Sequence, residues 1–192
     1  MKNLTLGLLL VAVCASPVFL IAASGGTTLY VDQGDPNCTD AGPGSPGQPF
    51  CTIGTAGAFA VAGQTVEVAS GTYPENVTPA NSGTAGDPIV FTTAPGASVT
   101  VGGQFHGFTL SGRSGITVQG FTVTGTIGDG ILVSNSSDII LTDNHVSDSG
   151  QPISGQTAKG IRLSAVTTAL VARNTIDHNT DYGIYLVNST GI

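Results

Sequence analysis

The second half of this 192-residue chain repeats itself, and that repeat constrains the fold more than any other feature. Gly115–Val123 (GITVQGFTV), Asp138–Val146 (DIILTDNHV) and Thr168–Ile176 (TALVARNTI) align with their apolar positions in columns. The columns are Ile116, Ile139, Ala169; Val118, Leu141, Val171; and Val123, Val146, Ile176. A second block, glycine followed by alternating apolar residues, begins at Gly107, Gly130, Gly160 and Gly183, with spacings of 23, 30 and 23 residues. Recurrence at this period marks stacked supersecondary units that bury an apolar face only against their neighbours.

Each unit holds short runs with period-2 alternation, broken by Gly, Asn, Asp and Ser, and no helical pattern. A hairpin returns its partner strand within two to five residues, whereas here the similar strand recurs after a whole unit. The chain therefore coils, each strand pairing with its counterpart about 4.8 Å further along. The expected fold is all-β, a right-handed parallel β-helix. Ile131, Ile161 and Ile184 face inward, as do Val133, Leu163 and Leu186; Leu132, Arg162 and Tyr185 face outward. The register extends backwards through Val66, Ile89, Ile116, Ile139, Ala169 and Ile192, so coils occupy residues 65–192. Extra residues in the longest unit fall at Ser147–Ala158, and insertions of this kind map to loops on one face, often a binding face.

Residues 1–24 read as a secretory signal peptide: Lys2, an apolar run from Leu4 to Leu20, then small residues Ala22, Ala23 and Ser24. An uncleaved anchor is the other reading of that run. Residues 25–64 form an N-terminal cap region. It holds a strand around Thr28–Asp32, a Gly/Pro-rich loop bracketed by Cys38 and Cys51, and a helix over Ile53–Ala62. Thr52 caps that helix, Gly63 stops it, and Ile53, Ala56, Phe59 and Ala60 form its apolar face. A β-helix exposes its core and strand edges at an open end, and the helix is expected to cover both. In an exported chain two cysteines flanking a loop pair as a disulfide; two free thiols are the alternative. The chain stops at Gly191–Ile192, which repeats the start of another coil, so further coils are expected beyond it.

After removal of the leader, twelve acidic residues face Arg113, Lys159, Arg162 and Arg173, a net charge of about −8. There is no basic patch, which argues against nucleic acid. The expected product is a secreted or cell-surface monomer with no membrane association after leader cleavage.

Three segments, Gly44–Ile53 (GSPGQPFCTI), Ala62–Tyr73 (AGQTVEVASGTY) and Pro79–Ile89 (PANSGTAGDPI), resemble the opening of secreted β-helix proteins of the pectate-lyase-like superfamily. The group most similar shares its N-terminal region with family 9 polysaccharide lyases. The resemblance implies a polysaccharide partner, acidic in the lyases, and calcium as cofactor, with a Lys or Arg base abstracting the proton α to the uronate carboxylate. The calcium motif of that group carries two adjacent aspartates before a glycine. Here Asp181 matches the first and Tyr182 replaces the second.

Candidate site residues follow from the columns. His106, Asp129, Lys159 and Tyr182 each precede the repeated glycine and stack on successive coils, a strip able to hold a sugar. Lys159, beside Asp129 and Asp181, is a candidate base; the plainer reading is that it only neutralises its stacked acidic neighbour. Arg162 and Tyr185, outward on adjacent coils, offer a guanidinium fork and an aromatic face; an ordinary solvated surface is the alternative. Asp148, in the long loop, and Asp181 are the metal candidates. Asp143 with Arg173 reads as a structural ion pair, Asn144 with Asn174 as an asparagine ladder having Phe121 below it, and His145 and His178 as surface residues. No complete catalytic site is recognisable. A hydrolase needs a close carboxylate pair, which Asp143 and Asp148 do not supply. The leading expectation is a β-helix that binds or cleaves acidic polysaccharide; the alternative is a noncatalytic surface or adhesive module.

Overall fold

A computed structural model of the chain describes residues 27–151 and 155–192, so the proposed leader and part of the long loop lie outside it. Strand β1 (Thr28–Val31) and helix α1 (Ile53–Phe59) come first, followed by β2 (Thr65–Val68) and β3 (Gly71–Tyr73). Three strands per coil follow: β4 (Ile89–Thr93), β5 (Val99–Gly102) and β6 (Phe108–Ser111); β7 (Ser114–Gln119), β8 (Thr122–Thr124) and β9 (Ile131–Ser134). The last two coils are β10 (Ser137–Thr142), β11 (His145–Ser147) and β12 (Ile161–Ser164), then β13 (Thr167–Ala172), β14 (Thr175–Asp177) and β15 (Ile184–Val187). Strands of one kind stack into three parallel sheets, β1-β2-β4-β7-β10-β13, β3-β5-β8-β11-β14 and β6-β9-β12-β15. This is the right-handed parallel β-helix that the repeat predicts.

The apolar columns are the core. Ile89 pairs with Ile116, Ile116 with Ile139 and Ile139 with Ala169, and the three isoleucines are fully buried. Each such side chain removed from water contributes about 1.5–3 kcal/mol before chain entropy is set against it. The lower coils also hold aromatic rings edge to face, Phe91 with Phe108 at 6.2 Å and Phe108 with Phe121 at 5.2 Å. Ile184 and Leu186 occupy the columns of Ile161 and Leu163, but stay 44% and 49% exposed on the terminal strand of their sheet.

Four corners of the coil use left-handed backbone. One corner column runs Gly112, Asn135, Ala165, Asn188, a second Gly115, Asp138, Thr168, Gly191, a third Gly120, Asp143, Arg173, and a fourth Gly125, Asp148, His178, all at positive φ. Glycine fills the corners around β7 and Asn or Asp those of the next coil (Asn135, Asp138, Asp143, Asp148), residue types that tolerate this region, whereas the coil after it places Ala165, Thr168, Arg173 and His178 there.

The N-terminal end departs from the sequence reading in three ways. Val66 pairs with Phe91, not with Ile89. A slip of two residues keeps every side chain on its face, so alternation alone does not choose between the two registers. The helix ends at Phe59, where Ala60 turns to ψ 135°, and Phe59 is exposed. Asn81 Nδ2 then donates to the Ala60 carbonyl at 2.9 Å in place of a further helical turn. Finally, the cap divides its work. Helix α1 buries Ile53 and Ala56, and Gly57 lies against Phe91, so the helix covers the core. The free edge of β1, already the first strand of its sheet, is bonded by the loop before the helix. Tyr30 N–H donates to Gly44 O, Phe50 N–H to Tyr30 O and Asp32 N–H to Phe50 O. The Cys38–Cys51 disulfide, with Cα atoms 5.0 Å apart, closes this loop, and a closure of that length contributes about 3 kcal/mol in the chain-entropy account.

Candidate functional site

The repeated glycines are required by close approach. A Cβ on Gly107, Gly130 or Gly160 would run into Val123, Val146 or Ile176 of the core and into the carbonyl of the glycine one coil on. Backbone bonds between coils hold this column in register. Gly107 N–H donates to Gly130 O, Gly130 N–H to Lys159 O and Gly160 N–H to Tyr182 O, at 2.9–3.0 Å. His106, Asp129, Lys159 and Tyr182 therefore do stack. Beside them, β6, β9, β12 and β15 align Thr109, Leu132, Arg162 and Tyr185 in an outward column.

The two columns meet as one cluster. Lys159 Nζ lies 3.0 Å from Asp181 Oδ2 and 5.6 Å from the centre of the Tyr185 ring, a cation–π contact. The Tyr182 and Tyr185 rings stack with centres 5.5 Å apart and planes 24° from parallel. Asp129 is nearly buried. One of its oxygens accepts from the Lys159 backbone N–H at 2.8 Å, and the other faces Arg162 Nη1 at 3.8 Å. His106 Nδ1 donates to the Asp129 carbonyl at 2.8 Å, which fixes its tautomer. Arg162 Nε is buried and makes no hydrogen bond among the described residues.

His106, Asp129, Lys159 and Arg162 line a cleft of about 180 Å³, together with Phe105 and with Gln156 and Thr157 of the long loop. Phe105 is half exposed and packs edge-on to His106, ring centres 4.8 Å apart. The sequence gives no repeat signal for Phe105, which has no aromatic counterpart in other coils; the loop's extra length was the signal for Gln156 and Thr157. A larger depression of about 280 Å³ lies on the outer face of the first sheet, against Pro88, Ile140 and Leu170. Asp138 is its one ionisable lining residue, so it lacks the convergent polar groups of a site.

The two metal candidates do not come together. Asp148 follows β11 and accepts from Thr124 Oγ1 at 3.2 Å, while Asp181 belongs to Lys159. Among the described residues no group of three or more His, Cys, Asp or Glu is placed to hold a metal ion.

The remaining columns are structural. Asn144 Oδ1 accepts from Phe121 N–H at 3.1 Å, and Asn144 Nδ2 donates to Val118 O and to Asn174 Oδ1, each at 3.0 Å. Asn174 Nδ2 donates in turn to Leu141 O at 2.8 Å. Phe121 holds the same corner below, its ring in the core. Arg173 grips both oxygens of Asp143 at 2.7 and 2.8 Å. His145 and His178 fall in different columns, yet both reach Asp177, at 3.1 and 2.8 Å. Their hydrogen bonds hold the Asp177 carboxyl below the usual range, and the bond from Asp177 pushes His178 up.

Residues 97–192 match a family described as right-handed beta helix region. The uncharacterized protein YwoF of Bacillus subtilis (strain 168) is 34% identical over 137 residues, which is 63% of this chain and 29% of YwoF. The chain thus spans under a third of that relative's length. Among solved structures, a rhamnogalacturonan lyase superposes with a TM-score of 0.55 at 17% identity, covering 85% of this chain and 51% of its own. The GH136 lacto-N-biosidase from Eubacterium ramulus gives 0.57 at 11%, with coverages of 85% and 41%. The alginate lyase from Paenibacillus sp. str. FPU-7 gives 0.53 at 16%, with 85% and 65%. At these identities the likeness is one of fold.

Proposed function

Because the chain belongs to the right-handed β-helix family, we propose that it is part of a carbohydrate-active β-helix protein and binds a polysaccharide on the face built by Asp129, Lys159, Arg162, Tyr182 and Tyr185. The observation that carries this reading is the tyrosine stack beside Lys159, which with Arg162, Gln156 and Thr157 lines a cleft on the same face. Aromatic rings supply a large apolar face with little side-chain entropy to lose, and the polar groups around them fix orientation. Structural neighbours whose names denote two polysaccharide lyases and a biosidase support the same class.

Of binding and cleavage, binding has the better support in these coils. A lyase base must be free to take a proton, and Lys159 is paired with Asp181. Export is part of the proposal and rests on the leader-like segment at residues 1–24. The N-terminus of the product in the medium should start near Gly25.

The test is electrophoresis through gels containing dissolved polysaccharides. At least one polymer should retard the protein, and Tyr182→Ala should weaken that retention about tenfold, the loss of one stacked ring. Equal retention of wild type and a Tyr182→Ala/Tyr185→Ala double variant would remove the face from consideration. Unsaturated product absorbance, followed with and without calcium on the same polymers, decides whether binding leads to cleavage.

A further inference from the structure

The charges of this face are balanced internally, and that bears on which sugars it accepts. Two cations, Lys159 and Arg162, stand among two carboxylates, Asp181 and Asp129. Recognition of a uronate calls for a guanidinium or ammonium whose donors are free to meet a carboxylate, best as a two-pronged fork. Neither cation offers that without a carboxylate beside it. The Lys159 ammonium is largely covered, with Asp181 at 3.0 Å. The side edge of the Arg162 guanidinium, which would present Nε together with one Nη, is turned into the wall with Nε buried. The end edge, on a side chain 40% exposed, has its Nη1 3.8 Å from Asp129, beyond hydrogen-bond reach but beside a fixed negative charge.

Asp129 cannot swing away to make room. Its side chain is 7% exposed, and one oxygen is held by the Lys159 backbone N–H. A uronate carboxylate brought to Arg162 would therefore meet a fixed, nearly buried negative charge. Beyond the cleft, the chain's net charge of −7 adds a repulsive field for any polyanion. What the face does present freely is apolar and aromatic surface, with Tyr182 57% and Phe105 55% exposed, and neutral amide and hydroxyl groups at Gln156 and Thr157.

We propose that this face takes uncharged glycan, pyranose rings bearing hydroxyls and no carboxylate, and turns away polyuronates. The proposal rests on the reading of the same face as a polysaccharide site and specifies its substrate class. Asp181 and Asp129 are the residues that set the preference, Asp181 by pairing with Lys159 and Asp129 by placing a fixed negative charge beside Arg162.

The experiment compares gel retention on neutral polymers (glucan, galactan, mannan, xylan) and polyuronates (polygalacturonate, alginate), at low and high salt, with chelator and with calcium. Neutral polymers should retain the wild type equally at both salt concentrations, and polyuronates should not retain it. Asp181→Asn, which frees the Lys159 ammonium, should gain retention on polyuronates, by about tenfold as for one released charge pair, and lose that gain in high salt. Retention of the wild type by polyuronates alone, with or without calcium, would overturn the proposal and leave the polysaccharide site standing. Failure of Asp181→Asn to gain polyuronate binding would overturn the role given to Asp181. If no polymer of either kind retains the protein, the binding reading itself falls, and this inference with it.

Discussion

At the scale of single residues, the corners are where, among the described residues, non-glycine side chains take left-handed backbone. Thr168 is β-branched and sits at φ 61°, in a column where Gly115 and Gly191 occupy the equivalent corners. Left-handed backbone costs a residue of this kind about 1 kcal/mol relative to glycine. Thr168→Gly should therefore raise stability by about that amount, read as an increase in the urea midpoint with an unchanged slope. A fall in the midpoint would mean that the Thr168 side chain has contacts worth more than the strain. Asp143 gives a pH prediction. The Arg173 fork holds its carboxyl down to about 2 from 3.8. The folded state thus binds this proton less readily than the unfolded one. The pair's contribution is complete above the ordinary carboxylate range and is lost as pH falls through that range towards 2. Melting temperature against pH should drop less steeply across that window in Asp143→Asn than in wild type, and parallel curves would contradict the assignment.

At the scale of elements, α1 is too short to stand alone. It is held from outside by carboxylates distant in sequence. Glu75 accepts from the N–H groups of Ile53 and Gly54 at 3.0 and 2.7 Å, and Asp40 accepts from those of Cys51 and Thr52 at 3.0 and 3.1 Å. Burial raises the Glu75 carboxyl, opposed by those two backbone bonds. Glu75→Ala should cost about 1–2 kcal/mol, since it strips partners from two N–H groups at the helix start. The measurement is denaturant unfolding with the Cys38–Cys51 disulfide intact, and a change within error would show that solvent replaces Glu75 without loss. Thr52 was legible in the sequence as the cap because capping is local, and its Oγ1 does accept from Thr55 N–H at 3.3 Å. Glu75 was not, because it reaches the helix from the following strand region.

At the scale of the molecule, the candidate face exists only because coils stack in register. No coil contains a site. Asp129 comes from one coil, Lys159 and Arg162 from the next, and Asp181, Tyr182 and Tyr185 from the one after. A repeat protein places one residue of a column every 4.8 Å or so and varies its identity freely, provided the inward positions stay apolar. This explains how neighbours of one fold act on different sugars, and why specificity here is argued from the charges on one face rather than from the fold.

The sequence by itself determined the coil. Inward residues must repeat because each is packed on its counterpart, and two successive coils mark their corners with Gly, Asn or Asp, which tolerate left-handed backbone; both signals are written locally and recur. It also put Asp129, Lys159 and Tyr182 in one column and Arg162 with Tyr185 in another, since register follows from the repeat. Only the tertiary structure decided how the columns combine: that Lys159 turns to Asp181 while its backbone N–H binds Asp129, that Phe105 borders the cleft, and that Asp177 joins two histidines from different columns. It also decided the Val66–Phe91 pairing, where two registers satisfy the same alternation, and gave the edge of β1 to the loop instead of the helix. In each case the deciding quantity is a side-chain direction or a contact between segments that carry no shared repeat, and no local pattern encodes it.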